Sequence, residues 1–283
     1  MSLFAMMMVA MVSVSFVSCS DDDDDENGGG NSNGGSSVGL NNPLAKEGNL
    51  LLTKVECSNS DYSFEIKYDS KNRPVSIVYS EDDIISIDYE KGMLGYDGEF
   101  IDHVTFTSQG FLKAMSYNMS YGGDYEKGST TCSYDADGHL TKVDGNWQYK
   151  EDGEYGSETF GYTFEWANGN LFNSSSYSKG NEGNFTWDEK DDRIVEYSNY
   201  ENKFRQLTHG LISVLDVEDD FAVAGLYGIG PKNLPKRVVE EDKTTTFEYE
   251  LNQDGTIRQE KVVMDYGSDE YTRTYTLSYT PAN

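Results

Sequence analysis

The cysteine at position 19 has the sequence context of a lipid-attachment site. It follows an uncharged apolar run, residues 3–17, and a small residue, Ser18. A short apolar segment of this kind enters the export machinery, a small residue fits the signal peptidase, and the next thiol accepts a diacylglycerol. The run is shorter than the roughly 20 residues that a membrane-spanning helix needs. We therefore predict a bacterial lipoprotein signal over residues 1–18 and lipidation of Cys19.

The segments on either side of Cys19 bear on this prediction. Met1 and Ser2 supply none of the positive charge that usually begins an export signal, so an ordinary secretory leader with a chance cysteine is the alternative. Residues 19–47 are dominated by Asp, Gly, Asn and Ser and include the acidic run 21–26. Such a segment has too little apolar surface to offset its ordering entropy, so we predict a solvated tether.

The net charge of the chain is -28 at pH 7, and the acidic run accounts for only part of it. We expect no nucleic-acid partner, since phosphate binding requires a basic surface. Anionic lipid headgroups are repelled for the same reason. Attachment to a membrane must then come from the acyl chains on Cys19, in which each buried methylene contributes about 0.8 kcal/mol.

The chain has few histidines that could act in catalysis, and its many carboxylates form no recognisable catalytic motif. His103, His139 and His209 are the candidate bases at neutral pH. His139 follows a predicted turn, in the position that Arg73 and Arg193 occupy in similar segments, so we expect it to be exposed. With 50 Asp and Glu residues, any pair of carboxylates is a chance pair. We predict no catalytic residue, no enzyme activity and no cofactor; the alternative is a carboxylate-based polysaccharide hydrolase, with two carboxylates about 5 to 10 Å apart.

Two acidic segments resemble the beginning of a calcium-binding loop. Asp135 and Asn252 each precede an Asp-Gly pair by two residues. A calcium loop of the EF-hand type needs an acidic first residue and a bidentate Glu at position twelve. The first segment would start at Ser133 and end at Asp144, and the second would end at Lys261. We therefore predict hairpin turns here and no metal site.

Cys57 and Cys132 are the two cysteines beyond Cys19. In an oxidising compartment they could form a disulfide, although their spacing does not establish one. Alternatively, each packs in a strand as a small apolar side chain. The sequence leaves both possibilities open.

Alternation of apolar and polar residues is the main pattern after residue 50. It is regular over residues 64–68, 247–251 and 275–279, which predicts strands with one buried and one wet face, as in antiparallel sheets. We expect strands of about 5 to 8 residues. Residues 203–217 differ, because their apolar residues recur at intervals of three and four, which predicts a short helix.

A recurring unit separates the predicted strands: a strand that ends in a large apolar or aromatic residue, then a turn of Asp, Asn and Gly. These residue types tolerate positive φ and favour tight hairpins. We predict an all-β fold, a large antiparallel meander of hairpins in one domain over residues 48–283, forming a barrel-like or strongly curved sheet with the short helix inserted near 203–217. Four copies of the unit should occupy equivalent places, and weaker copies centre on Gly92, Gly110 and Gly169; the four begin at Tyr68, Tyr134, Trp187 and Leu251.

The chain is rich in aromatic residues, with 21 Tyr and the three tryptophans Trp147, Trp166 and Trp187. An aromatic face suits the apolar side of a pyranose ring, and acidic neighbours suit its hydroxyls. Sheets also favour aromatic residues on their buried face, so we expect most of these rings in the core.

The hairpin units resemble degenerate copies of the Tyr-Asp repeats of Rhs-type secreted shells, most closely over residues 134–140. The whole chain resembles a Bacteroidetes lipoprotein family of unknown function with a porin-like fold. The shared features are the Ser18-Cys19 pair with its acidic follower, the Tyr-Asp hairpins and the segment 232–235. Residues 20–23 also resemble the surface-export signal of Bacteroidetes lipoproteins. The resemblance implies a large antiparallel barrel or curved sheet, and it implies no activity.

These observations together predict an outer-membrane lipoprotein that faces the outside of the cell. The wet faces of its strands carry Glu, Lys, Thr and Asp, whereas an integral outer-membrane barrel needs an outward apolar band. We therefore expect a porin-like shape to be a water-facing barrel on a lipid tether. Its expected role is non-catalytic: binding of a glycan or protein ligand, or a structural function.

Overall fold

The computed structural model describes residues 42–46, 49–58, 63–80, 82–96, 99–121, 124–151, 154–182, 185–205, 211, 222 and 224–282. Cys19, the predicted signal and most of the predicted tether lie outside these residues. The described part begins with a short 3-10 turn, Pro43–Ala45, in which Leu44 is buried. Within the described ranges, no helix is both long and apolar enough to cross a membrane.

The described residues form sixteen antiparallel strands. Each strand pairs with its neighbours in sequence, and β1 pairs with β16 to close a barrel. The predicted all-β meander of hairpins is therefore confirmed, and the sheet is closed. The strands are β1 (Leu50–Cys57), β2 (Phe64–Tyr68), β3 (Pro74–Ser80), β4 (Asp83–Asp88), β5 (Met93–Tyr96), β6 (Glu99–Phe106), β7 (Leu112–Tyr121), β8 (Asp124–Tyr134), β9 (Leu140–Glu151), β10 (Glu154–Ala167), β11 (Asn170–Glu182), β12 (Phe185–Glu201), β13 (Asn233–Val239), β14 (Thr244–Leu251), β15 (Ile257–Asp265) and β16 (Glu270–Pro281).

Strands β8 to β12 are longer than the sequence predicted. β8 has 11 residues and β12 has 17, against the expected 5 to 8 or so. Over residues 185–192 most side chains on both faces of β12 are exposed. Alternation of apolar and polar residues reports only strands with one buried face, so it misses this wet half.

Alternate side chains along the strands point into the barrel and form one hydrophobic cluster. Val55, Ile77 and Val262 are completely enclosed in it. Sixteen-stranded barrels are wide enough to leave an aqueous channel unless something fills them. Here, side chains from the β12–β13 connection join the cluster: Phe204, Leu211, Ala222, Ala224, Leu226 and Tyr227.

Residues 224–232 of this connection are bonded to the turns at one end of the barrel, which we call the plugged end. Leu112 donates to the carbonyl of Leu226 at 2.7 Å, and Ile229 donates to Gly138 at 2.9 Å. Lys232 donates to the carbonyl of Gly169 at 2.7 Å. The connection therefore ties together three successive hairpins, β6–β7, β8–β9 and β10–β11.

The predicted helix over residues 203–217 falls mostly outside the described residues. Lys203 and Phe204 lie in a turn, and Leu211 is helical and completely buried. Residues 206–210 and 212–217 are not among those described.

Four hairpins at the plugged end share one backbone geometry. In each, the first turn residue donates to the carbonyl four residues later, at 2.8 to 3.0 Å, and the residue before that partner has positive φ. This is the three-residue hairpin loop with a left-handed residue and a bulge. The predicted units at Tyr68, Tyr134 and Leu251 are confirmed, with Phe106 as a further copy. The left-handed residues are Asn72, Gly110, Gly138 and Gly255.

The predicted hairpin after Trp187 is wrong. Residues 187–194 lie within β12, paired along their length with β11. The run contains Asp, Glu and Lys but no glycine at the position where the true units turn left-handed. A run of charged residues is compatible with a turn, and it is equally compatible with a strand that has solvent on both faces, as here.

Both ends of the described barrel lie at the plugged end, where Ala282 donates to the carbonyl of Asn49 at 2.9 Å. The opposite end, which we call the far end, carries the alternate set of turns. These include residues 240–243 and 266–269. The long strands β8 to β12 extend towards the far end.

Candidate functional site

Most outward-facing side chains of the barrel are polar, and many form ion pairs; exposed apolar residues such as Tyr155, Tyr177 and Ile194 lie among them. On β9, Lys142 lies 2.8 Å from Asp144. Matching pairs join neighbouring strands elsewhere, such as Lys179 with Asp188 at 3.0 Å. Arg237 with Glu196 and Lys261 with Glu248 also join neighbouring strands, and Lys54 pairs with Glu56 on the same strand. An outer wall of this composition is suited to water, because charged side chains at a lipid face are destabilising.

The inward-facing side chains of β12 change from exposed to buried along the strand. Phe185 at the far end is 66% exposed, and Trp187 is half-buried. Arg193 and Val195, nearer the plugged end, are only 4% and 5% exposed. The inner wall is therefore accessible to solvent from the far end and is closed at the plugged end.

Six inward-facing residues from six neighbouring strands lie in one row across this accessible wall. Direct cross-strand pairing links each residue to the next. The row crosses the strands at right angles and contains three aromatic residues, two glycines and one glutamate. We call it the aromatic row, and its members in order from β7 to β12 are Tyr117, Gly128, Trp147, Glu158, Gly180 and Trp187.

The glycines of the wall allow aromatic rings to lie flat on the neighbouring strand. A Cβ at Gly128 would lie 2.6 Å from the Tyr117 ring, and one at Gly180 would overlap the Trp187 ring. The adjacent rows repeat this arrangement, with Tyr149 over Gly156 and Phe160 over Gly145. Glycine inside a strand commonly marks such a close approach. The rings therefore turn one face to the sheet and the other to the barrel interior.

Hydrogen bonds fix the orientation of both tryptophans. Trp147 Nε1 donates to Glu126 Oε1 at 2.7 Å. Trp187 Nε1 donates to Ser178 Oγ at 2.9 Å, and that hydroxyl donates to Glu158. Each indole is thus tied by its polar edge to a carboxylate, directly or through one hydroxyl.

A buried ionic network lies on the inner wall between Trp187 and the plugged end, at the level of β12 that the turn of the short β13–β14 hairpin reaches. Arg193 Nε lies 3.0 Å from Glu240 Oε1, and both side chains are only 5% exposed. The same guanidinium lies 2.7 Å from Asp191 and donates to Ser176 at 3.1 Å. Lys243 contacts the second oxygen of Glu240 at 2.9 Å. This network joins β11, β12 and the β13–β14 turn.

The one cluster of metal-ligand types found among the described residues belongs to a hairpin. Asp135, Asp137 and His139 place ligand atoms within 4.8 Å of one another. Asp135 Oδ1 accepts the His139 amide and Oδ2 lies 2.9 Å from His139 Nδ1. At the equivalent hairpin Asp69 makes the same two bonds with Arg73, at 2.9 and 2.8 Å. Because a guanidinium fills the corresponding position there, we assign the Asp135 arrangement to stabilisation of the turn.

The expectation that His139 is exposed is wrong. The residue is 4% exposed, and its ring stacks on Trp166 with centroids 4.3 Å apart. Arg73 is equivalent, since its guanidinium lies 4.4 Å from the centre of the Tyr89 ring. Arg193 is not equivalent, because it points into the barrel from the middle of β12. The sequence comparison placed Arg193 just after a turn. That placement is wrong for the same reason as the predicted Trp187 hairpin, because residues 187–194 form part of a strand.

The other candidate residues are scattered. His103 is exposed on β6, and His209 lies outside the described residues. Cys57 and Cys132 both carry free thiols. Burial raises the pKa of Cys132 to about 12. The reading of these two cysteines as small side chains packed in strands is therefore the one that the structure favours.

The barrel resembles those of two porin-like proteins. One, from Bacteroides uniformis ATCC 8492, superimposes with a TM-score of 0.55 at 15% identity, over 81% of this chain and 98% of the other. The second, from Bacteroides vulgatus ATCC 8482, gives a TM-score of 0.53 at 17% identity, over 82% and 99%. At this identity the likeness establishes the fold alone. It bears out the porin-like shape that the sequence resemblance implied.

No protein-family model matches the chain, and no curated protein matches it. Membership of a lipoprotein family and the likeness to Rhs-type repeats therefore stay predictions. Sequence reasoning named Trp147 and Trp187 singly but missed the row that they form. The available signal was a series of glycines inside predicted strands next to strands with aromatic residues, at Gly128, Gly145 and Gly180 among others.

Proposed function

We propose that this protein is a lipid-anchored outer-membrane protein whose barrel stands in water and binds a ligand on its inner wall without catalysing a reaction. One observation carries the proposal: ion-paired charges are spread over the outer wall, while a continuous row with solvent-accessible aromatic rings faces inward. An integral outer-membrane barrel has the reverse arrangement, with an apolar band outside and a polar interior.

The position of the chain in the barrel supports an anchored orientation. Residue 42, the first described, precedes β1, and Asn49 lies at the plugged end. Acyl chains on Cys19 would therefore attach on the plugged side, and the accessible wall would open away from the membrane. The likeness to porin-like proteins from Bacteroides supports an outer-membrane location.

A non-catalytic role is favoured by the arrangement of the two inner-wall carboxylates. Glu126 on β8 and Glu158 on β10 are separated by β9. Glu126 accepts a hydrogen bond from Trp147, and Glu158 accepts one from Ser178, which in turn holds Trp187. A polysaccharide hydrolase instead needs one carboxylic acid to donate a proton and the second to attack or to activate water. We therefore expect no release of reducing ends when the purified protein is incubated with polysaccharides.

The anchor is tested in a Bacteroidetes host with full-length protein and the Cys19→Ala variant. We expect the wild-type protein to incorporate labelled palmitate, to fractionate with the outer membrane and to be digested by protease added to whole cells. The variant should be exported without label. Label that persists in the variant, or wild-type protein found in the cytoplasm, would contradict the proposal.

A further inference from the structure

We propose that the aromatic row binds a neutral oligosaccharide, which lies across strands β9 to β12 with pyranose rings stacked on Trp147 and Trp187. This inference rests on the proposed binding role of the inner wall and names its ligand class. Four properties of the row carry it: the fixed orientation of the tryptophan rings, their separation, the sign of the neighbouring charges, and access from the far end.

Both tryptophan rings are held in place before any ligand arrives. Gly180 leaves the space in which the Trp187 ring rests against β11, and the Nε1 of each tryptophan is held by a hydrogen bond. A ring held in this way offers its apolar face at little cost in side-chain entropy on binding. The apolar face of a pyranose is the matching surface, because its axial C–H groups can stack on an aromatic ring.

The separation of the two tryptophans indicates an oligosaccharide. Trp147 on β9 and Trp187 on β12 stand in one row three strands apart, which corresponds to about 14 Å. A single pyranose ring cannot cover both. A chain of several sugar units can, and between the tryptophans it would pass over Glu158 and Gly180.

The charges beside the rings favour a neutral ligand with many hydroxyl groups. Carboxylates project from the inner wall in the aromatic row and the rows on each side of it, at Glu126, Glu158, Glu182 and Glu189. Carboxylate oxygens accept hydrogen bonds from hydroxyl groups. A polysaccharide that carries uronic acid or sulfate would be repelled, and the overall charge of -28 strengthens that repulsion.

An organic cation is the competing ligand for aromatic rings with acidic neighbours. Recognition of a quaternary ammonium uses a cage of rings around one point. Here the tryptophans lie in one sheet, side by side in a row, and two of the wall carboxylates already accept hydrogen bonds. The geometry therefore favours an extended, flat ligand over a compact cation.

The far end provides the entrance to the row. Phe185, at the start of β12, is 66% exposed and lies one pleat beyond Trp187 on the same inward face. The two rings stack with centroids 6.0 Å apart. A glycan chain that enters at the far end would meet Phe185 first and Trp187 next.

The test measures binding by full-length protein purified in a zwitterionic detergent without a sugar headgroup. Tryptophan fluorescence and calorimetry are recorded during titration with neutral hexasaccharides of α-1,4-glucose, β-1,4-glucose, β-1,3-glucose and β-1,4-mannose. Hexagalacturonate, glucose and spermidine are titrated in parallel. We expect at least one neutral hexasaccharide to bind, glucose to bind at least tenfold more weakly, and hexagalacturonate not to compete.

Three variants locate the site. Trp147→Ala and Trp187→Ala should each weaken binding at least tenfold. Tyr177→Ala is the matched control, because Tyr177 covers Gly161 on the outer wall in the same way and should bind as the wild type does. Circular dichroism confirms that each variant is folded. If Trp147→Ala unfolds, Trp147→Phe keeps a flat ring and should retain most of the affinity.

The proposal is overturned if no neutral hexasaccharide binds, if the tryptophan variants bind as well as Tyr177→Ala, or if spermidine or hexagalacturonate binds more tightly than the sugars. These outcomes are separate from the anchor experiment. Loss of membrane attachment without loss of sugar binding would contradict the proposed location only. Correct lipidation with no sugar binding would contradict this inference only.

Discussion

The phenol of Tyr134 donates a hydrogen bond to the carbonyl oxygen of Leu112 at 2.7 Å, reaching from the end of β8 to the start of β7. The same hydroxyl lies 3.3 Å from the carbonyl oxygen of Leu226 in the β12–β13 connection. One side chain therefore ties a hairpin to its neighbour and to the segment that fills the barrel end. This contact explains why an aromatic residue ends the strand.

The relationship recurs at other hairpins of the plugged end. Tyr68 donates to the carbonyl of Leu52 at 2.7 Å, and Trp166 Nε1 donates to Leu140 at 2.7 Å. In each case the aromatic residue precedes the turn and satisfies a carbonyl on the preceding strand. Burial raises the pKa of the Tyr68 and Tyr134 phenols above their ordinary value, so both stay protonated donors.

We predict that Tyr134→Phe lowers the free energy of unfolding by about 1–3 kcal/mol, because the buried carbonyl of Leu112 loses its donor. Urea unfolding followed by circular dichroism measures the change. Tyr177→Phe, at an exposed site on the outer wall, is the control and should differ little from the wild type. Equal stability of Tyr134→Phe and the wild type would show that the bond contributes nothing.

We predict a pH-dependent effect of Asp135→Asn. Burial alone would raise the pKa of Asp135, but hydrogen bonds from the His139 ring and backbone outweigh burial and hold the pKa below its ordinary value. A carboxyl with a lowered pKa in the folded state stabilises the protein above its unfolded pKa, near 3.9 or so, and this contribution is lost as the pH falls through the folded pKa.

The Asp135→Asn variant should therefore be less stable than the wild type at pH 7, and the gap should close below about pH 3.9. Thermal unfolding at a series of pH values measures it. Asp137→Asn, in the same turn, is the control and should cost less stability at pH 7, because the bonds from His139 go to Asp135. A constant difference across all pH values would contradict the assignment.

We predict that Gly180→Ala destabilises the protein by about 1–3 kcal/mol through overpacking. The new Cβ would overlap both the Trp187 ring and the backbone oxygen of Ser157, which cannot move aside without disturbing β10. Gly161→Ala is the matched control on the outer wall. The three atoms nearest to its new Cβ all belong to the Tyr177 side chain, which can turn into solvent, so its cost should be smaller. A change in tryptophan emission should accompany Gly180→Ala alone.

We predict that Arg193→Met lowers the free energy of unfolding by about 1–3 kcal/mol, since it removes one of the two cations that contact the buried Glu240 carboxylate. Addition of Glu240→Gln should recover part of the loss, because the buried negative charge that lost one of its cations is then removed. Chemical unfolding of the two single variants and the double variant measures the coupling. Strict additivity of the two changes would contradict the proposed network.

We predict that chelation leaves the protein unchanged. The Asp135 carboxylate is occupied by the turn amides and His139, and the same bonds form at Asp69 around a guanidinium. The melting temperature should be the same in EDTA as in excess calcium or zinc. A rise of several degrees with either metal would instead support a metal site at Asp135, Asp137 and His139.

The local sequence determined the hairpins at the plugged end. Tyr68, Tyr134 and Leu251 each precede a turn that needs a left-handed residue, and only Asn or Gly satisfies that need cheaply. The same reasoning failed at Trp187, because a run of Asp, Glu and Lys is compatible with a turn or with a strand that is wet on both faces. The sequence also predicted the polar outer wall, since period-two alternation assigns each residue to a face.

The tertiary structure alone decided the closure of the barrel and the aromatic row. β1 and β16 are at opposite ends of the chain, and no local pattern encodes their pairing. Alternation gives the face of a residue but not its register with a neighbouring strand, which is fixed by all the hairpins and bulges between them. Trp147 and Trp187 come into one row only because three successive registers, across β10 and β11, add up to place them there.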